Sequence, residues 1–201
     1  MICNSITFMI NAMNPYIIKL AETEEERLGA YQVRFQCLTL EMGDSLYANY
    51  EEETFKDKLD EAGKSKIFIA LDPQTNQVVA TQRITFRKEI EFTADYLYDY
   101  NSVSAIIGIS AIELKQKAVL HDRSSTLKQH RIYKPSLFMQ IFNICEETIT
   151  NELAGGVIMS FIDTKNIATL EMIINRLCFQ KTEMTYRYNM KEFYQIFKLL
   201  D

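Results

Sequence analysis

Three segments of this chain are apolar, rich in β-branched residues and bounded by turn-forming ones: Lys66–Leu71 (KIFIAL), Val78–Phe86 (VVATQRITF) and Val157–Ile162 (VIMSFI). Such runs read as buried strands, because an apolar residue on both faces needs cover on both faces. Asp72-Pro-Gln-Thr-Asn76 joins the first two as a hairpin. Stretches of helical periodicity lie around them. That alternation forces a layered domain, since each strand and each helix stripe must bury its apolar side against the other kind of element.

Along the chain the pattern fills in. Asn14–Leu20 (NPYIIKL) is short and β-branched and predicts an opening strand. Thr23 with Glu26 three residues on has capping-box spacing and starts a helix carrying Leu28, Tyr31, Val33, Phe35 and Leu38, which should stop near Gly43. A second, polar helix is expected over 52–62, with Phe55 and Leu59 on its buried edge. Residues 89–102, with Phe92, Tyr96, Tyr98 and Tyr100, read as an aromatic loop with a short helix. Ile106–Leu120 reads as a strand, with Ile112, Leu114 and Gln116 alternating against Glu113, Lys115 and Lys117. A basic loop, His121–Lys134, precedes a long helix from Pro135 to about Leu153, broken by Gly155-Gly156. Asp163 or Thr164 then caps a helix to Leu177, Cys178–Asn189 forms a last strand, and 190–201 an amphipathic terminal helix. The expectation is one α/β (α+β) domain over 1–201, with a mixed sheet. Residues 1–13 stand as an extension, with Met13 an alternative start.

Bulk properties narrow the partners. The net charge is −5 over 201 residues, with both signs scattered, so no basic face for nucleic acid is expected. Cys3, Cys37, Cys145 and Cys178 form no CxxC pair and lie far in sequence from His121 and His130, which argues against a metal site and for buried free thiols. No apolar run approaches the roughly 20 residues of a membrane span. Met1–Ile10 lacks a basic start and a small-residue cleavage site, so a cytoplasmic protein is expected.

The order of elements resembles the Gcn5-related N-acetyltransferase (GNAT) fold, a mostly antiparallel twisted sheet flanked by helices. Tyr31-Gln-Val-Arg34-Phe followed by Glu41 and Gly43 is similar to the first helix of autoinducer synthases and long-chain N-acyl amino acid synthases, the branch that uses acyl-carrier protein. Val79-Ala-Thr-Gln-Arg83 resembles the third strand, Gly156–Phe161 the fifth, and Asn166–Phe179 the helix that follows it. Two departures accompany the likeness. The pyrophosphate loop of acetyl-coenzyme A enzymes has its counterpart in Arg131-Ile-Tyr-Lys134-Pro135-Ser136, where Lys134 replaces a glycine and Pro135 removes an amide donor. The family's tyrosine acid falls near Ile174 and is absent.

The resemblance implies transfer of an acyl group, fatty-acyl in this branch, from acyl-carrier protein or acyl-coenzyme A to the amine of a small molecule such as an amino acid. It implies no permanently bound cofactor; acyl-phosphopantetheine is a co-substrate. Glu113 is the candidate general base and Arg83 and Arg34 candidate substrate-shaping groups, each with a plainer reading as an ion pair or solvated side chain. Backbone amides around Ala118, Val119 and Leu120 are candidates for the oxyanion. Arg123, Lys128, Arg131 and Lys134, with Ser136 at the helix start, suit a phosphate or an acidic carrier surface. Tyr186 or Tyr188 is a candidate replacement for the missing acid, and the 92–100 segment a candidate lid. An ordinary acetyl-coenzyme A enzyme, or a member that binds without chemistry, fits the same departures.

Overall fold

A computed structural model describes residues 15–89, 98–132, 136–188 and 191–200. Its main element is a seven-stranded sheet. Strands β1 (Ile17–Leu20), β4 (Lys66–Leu71), β5 (Val78–Phe86), β6 (Ala118–Thr126) and β7 (Val157–Asp163) lie side by side in that order. β9 (Lys191–Leu199) and β8 (Gln180–Tyr188) follow. Only the β6–β7 pairing is parallel. Helices α5 (Leu137–Glu152) and α6 (Ile167–Leu177) cover one face, where Phe86, Val119, Ile141, Phe142 and Ile158 form the largest apolar cluster. The other face is divided. Helix α1 (Glu24–Arg34) packs on Ile67, Ile69 and Leu71, and helices α3 (Tyr100–Ile107) and α4 (Ala111–Lys117) pack on Leu120, Met159 and Phe197.

Local chemistry explains the elements the sequence predicted. Thr23 caps α1 through its hydroxyl, which accepts from the Glu26 amide at 3.2 Å, while the Glu26 carboxylate answers the Thr23 amide. Thr23→Ala should cost about 1 kcal/mol of stability, measurable as a lowered urea midpoint at unchanged slope; an unchanged midpoint would show that the box is idle. Gly29 lets α1 close on β5, since a Cβ there would lie 2.7 Å from Val78. The helix then widens into a seven-residue π-helix, Phe35–Glu41, before ending at Gly43 in the left-handed region. The KIFIAL–VVATQRITF hairpin pairs as expected, and α5, β7 and α6 run close to their predicted bounds.

Several expectations fail, among them the basic loop from His121, which is strand β6 as far as Thr126. Residues 106–117 form no strand: α3 ends at Ile107 and α4 follows over Ala111–Lys117, capped by Ser110, whose hydroxyl accepts from the Glu113 amide at 3.1 Å. The Ser110-x-x-Glu113 spacing was the missed signal, outweighed by a period-two pattern. The 52–62 helix shrinks to α2 (Lys58–Glu61), because Thr54–Phe55 pairs with Ala48–Asn49 as the two-stranded hairpin β2–β3. The terminal helix is β9, inserted between β7 and β8 with both edges paired. Its Phe193-Tyr-Gln-Ile-Phe197 run is rich in aromatic and β-branched residues, and tertiary pairing overrode its helical spacing. The free-thiol expectation holds for Cys37 and Cys145, both buried, whereas Cys178 is disulfide-bonded. Phe92 and Tyr96 of the candidate lid, Lys134 and Pro135 lie outside the described residues.

Candidate functional site

Strands β6 and β7 part company halfway. Ala118, Val119 and Leu120 pair with Val157, Ile158 and Met159, and no rung follows. The cause sits on the other edge of β6. Between the Thr81–Ser125 and Arg83–Asp122 pairs, β5 advances two residues while β6 advances three. The extra residue is accommodated at Arg123, whose φ of 54° lies in the left-handed region. A bulge of this kind bends and twists its strand, and β6 swings away from β7 beyond it. The result is a fork whose arms are His121–Thr126 and Ser160–Asp163.

The α1 side of the fork is lined by an ionic network. Asp57 accepts from both terminal nitrogens of Arg83 and from Nε and Nη2 of Arg123 at 3.1 and 2.9 Å. Arg83 also donates to both oxygens of Asp122, its cross-strand partner, at 2.8 and 2.7 Å. Arg34 donates through Nη1 to both oxygens of Asp60 at 2.9 and 3.0 Å, and its Nε and Nη2 are buried with no hydrogen-bond partner among the described residues. Three cations thus face three carboxylates. Burial works to raise the Asp57 pKa, but Arg83 and Arg123 outweigh it and hold that carboxyl well below the usual range. For Asp122 the balance goes the same way, with Arg83 the main opponent of burial.

On the α5 side stands His121, the first residue of β6 past the last β7 rung. Its Nε2 lies 2.8 Å from Gln82 Oε1, and Gln82 donates its amide to the Phe138 carbonyl at 2.7 Å. With its NH₂ so used, the Gln82 oxygen faces the ring, which fixes Nε2 as the protonated nitrogen and leaves the Nδ1 lone pair free. The ring meets Phe142 edge-on at 5.1 Å. Burial pushes the His121 pKa down to about 4, against a smaller upward pull from Asp122.

The aromatic side chains of the α3 segment close the fork from the opposite face. Tyr98 packs against Phe161 of the β7 arm at 4.6 Å between ring centroids, and Tyr186 meets the same ring at 5.6 Å. Burial raises the Tyr186 pKa to about 12, helped by the Asp99 carboxylate. A cavity of about 550 Å³ lies at the end of the β7 arm, walled by Met42 after the π-helix, by Asp163 and Lys165, and by Arg187, Lys191 and Glu192 of the β8–β9 hairpin. A second, of about 560 Å³, covers Tyr31, Asp60 and Lys66 at the opposite, zipped end of the sheet.

The residues singled out in the sequence divide into groups. Arg83 and Arg34 join the network, each held by carboxylates: Arg83 by its cross-strand partner, and Arg34 by Asp60 rather than Glu41. Arg123 belongs there too and is committed to Asp57. Glu113 is the main correction: on a helix instead of a strand, it is half exposed and pairs with Lys117 one turn on at 3.0 Å. Val119 and Leu120 are paired on both edges, to β5 and to β7, and Ala118 to β7, so the free strand edge begins at His121. Arg131 bridges the chain after β6 to the π-helix, binding Glu41 at 2.7 Å and the Thr126 carbonyl at 2.7 Å. Lys128 is exposed in a short 3-10 turn, and the Ser136 hydroxyl caps α5 by accepting from the Met139 amide. Asp57, Asp60 and Asp122 were missed. The capping-box spacing of Asp57 and Asp60 marks a helix start and carries no sign of the arginines it serves.

A bulged strand, a forked parallel pair and helices on both faces give the chain a GNAT-like fold. Solved structures agree. The N-acyl amino acid synthase FeeM from uncultured soil microbes matches at a TM-score of 0.65 and 9% identity, over 92% of this chain and 90% of that one. BjaI, a coenzyme A-dependent acyl-homoserine lactone synthase solved with SAM and isopentyl-CoA, matches at 0.64 and 10%, over 87% and 76%. An acyl-CoA N-acyltransferase from Pseudomonas aeruginosa matches at 0.61 and 14%, over 91% and 97%. No family model and no curated protein sequence matches the chain. Among the described residues, no helix is long and apolar enough to cross a membrane.

Proposed function

We propose that this protein is an enzyme that moves an acyl group, fatty-acyl by preference, from the phosphopantetheine thioester of acyl-carrier protein or coenzyme A to the amine of a small molecule such as an amino acid. The observation that carries this reading is the fork at Leu120–Met159, which opens one edge of β6 between two aromatic-lined faces. A thioester laid in that gap meets the unpaired backbone of His121–Arg123, where an amide is available for the oxyanion. That shifts the role from Ala118, Val119 and Leu120 to the adjoining residues. The cavity at Asp163 receives the acceptor, with Lys165, Arg187 and Lys191 matching a carboxylate beside its amine. Arg83 and Arg34 act through the carboxylates they hold, fixing Asp122 and α2 around the gap. Lys128, Arg131 and the capped start of α5 face the phosphate or the acidic carrier. Attack is direct: Cys37 and Cys145 are buried, and burial raises both thiol pKa values, so neither is an activated nucleophile.

A thermal-shift panel with acetyl-, octanoyl- and palmitoyl-coenzyme A, with and without carrier protein, tests the reading. A donor at about 100 times its Kd adds about 2.7 kcal/mol, a rise of roughly 5–10 °C for a chain of this size. Stabilisation by the long-chain donors, with thiol release on adding amino acids, is expected. A flat response to every donor would leave a fold that binds no thioester.

A further inference from the structure

Had β6 and β7 stayed paired, the rungs after Leu120–Met159 would be His121–Ser160 and then Asp122–Phe161. Tyr98 sits by both residues of that missing second rung. Its ring lies 4.6 Å from Phe161, and its hydroxyl feels the charges of Asp122, Arg83 and Arg123 across the gap. It belongs to the apolar cluster of this face, together with Leu120, Met159 and Phe197. The residue is 8% exposed, and no described residue makes a hydrogen bond to its hydroxyl. Two neighbouring polar groups are otherwise committed: Asp122 to Arg83 and Gln195 to the Asp99 amide.

We infer that the Tyr98 hydroxyl is a hydrogen-bond donor to the thioester oxygen, a second arm of the oxyanion site beside the unpaired β6 backbone. This rests on the acyl-transfer reading and deepens it. Burial, then the Asp122 charge, push the Tyr98 pKa well above its ordinary value, so the phenol keeps its proton and donates without transferring it. In the step it serves, the amine lone pair bonds to the carbonyl carbon and the C=O pair moves onto oxygen. Tyr98 meets that developing charge. The pair returns as the C–S bond breaks, sulfur leaves with its electrons, and the proton shed by nitrogen reaches the thiolate through water. Tyr98 is unchanged at the end.

The test is Tyr98→Phe, which keeps the ring on Phe161 and removes the donor. Thiol release from octanoyl-coenzyme A is followed with the amino acid that turns over fastest. Removing one preorganised oxyanion donor lowers kcat by about 100-fold or more, with KM for the donor changed less than about twofold because the ground-state carbonyl carries little charge. Wild-type kcat in the folded variant, or a loss confined to KM, overturns the proposal while leaving acyl transfer standing. If the phenylalanine variant does not fold, site-specific 3-fluorotyrosine at position 98 decides. Its more acidic, nearly isosteric phenol must change kcat, and an unchanged kcat refutes the role. A wild-type protein that releases thiol from no donor instead removes the reading on which the proposal rests.

Discussion

Asp57→Ala is expected to lower the unfolding free energy by about 3–5 kcal/mol, the cost of leaving buried guanidinium groups without their counter-charge. Asp57 is the hub of the network, accepting from Arg83 and Arg123 while its own oxygen caps α2 by accepting the Leu59 and Asp60 amides. Arg83 has no exposed surface at all, so water cannot replace the lost carboxylate. Asp57→Asn should fall between the two, because an amide oxygen keeps the cap and part of the hydrogen bonding but not the charge. Glu22→Ala, which breaks an exposed pair with Lys19, serves as the contrast at under about 1 kcal/mol. Urea denaturation followed by circular dichroism reads all three. A D57A midpoint indistinguishable from that of Glu22→Ala would mean the network contributes nothing that solvent cannot.

Acid weakens the fold in two stages that separate by residue. His121 titrates near 4 when folded and near 6.5 otherwise. Above pH 6.5 it is neutral in both states and affects nothing. Between about 6.5 and 4 the unfolded chain takes up a proton that the folded one refuses, so stability drains away as pH falls. A shift of that size corresponds to about 3 kcal/mol lost by pH 4, at about 1.4 kcal/mol per pKa unit. Asp57 and Asp122 act lower. Their folded pKa values are depressed, so the stability they add is complete above the unfolded carboxylate value near 4 and is lost as pH drops below it. His121→Gln, which retains a donor for the Gln82 oxygen, should flatten the curve of unfolding free energy between pH 6.5 and 4 and leave the lower limb steep. An unaltered slope in that upper window would place the proton uptake on another group.

The network and the histidine share a reason for being hard to see in advance. Arg83 stood out in the sequence because an arginine inside an apolar strand needs a partner. Asp122 reads as one more polar residue in a basic loop, and Asp57 falls in the middle of the helix expected over 52–62. Only strand pairing sets Asp122 opposite Arg83, and only the α2 start, delivered by the β2–β3 hairpin, brings Asp57 over them. His121 reads as a loop residue as well. Its buried position follows from β6 running on to Thr126 instead of stopping at Leu120, and that in turn from the bulge at Arg123, a non-glycine residue with no local motif to announce it.

What the sequence by itself determined is the set of elements whose signals are local: the Thr23 capping box, the hairpin with its Asp72–Asn76 turn, the long helix stopped by two glycines, and the apolar strand after them. Backbone propensity and side chains a few residues apart decide these, and the order of the pieces carries the fold. Tertiary structure alone decided the rest. Lys191–Leu199 became an inner strand because it pairs with β7 on one edge and β8 on the other. Glu113 left the strand for a helix because Ser110 offers a cap and Leu114 a core to fill. The fork exists because one surplus residue on one edge of β6 ends its pairing on the other, a relation between distant strands that no nearby sequence encodes.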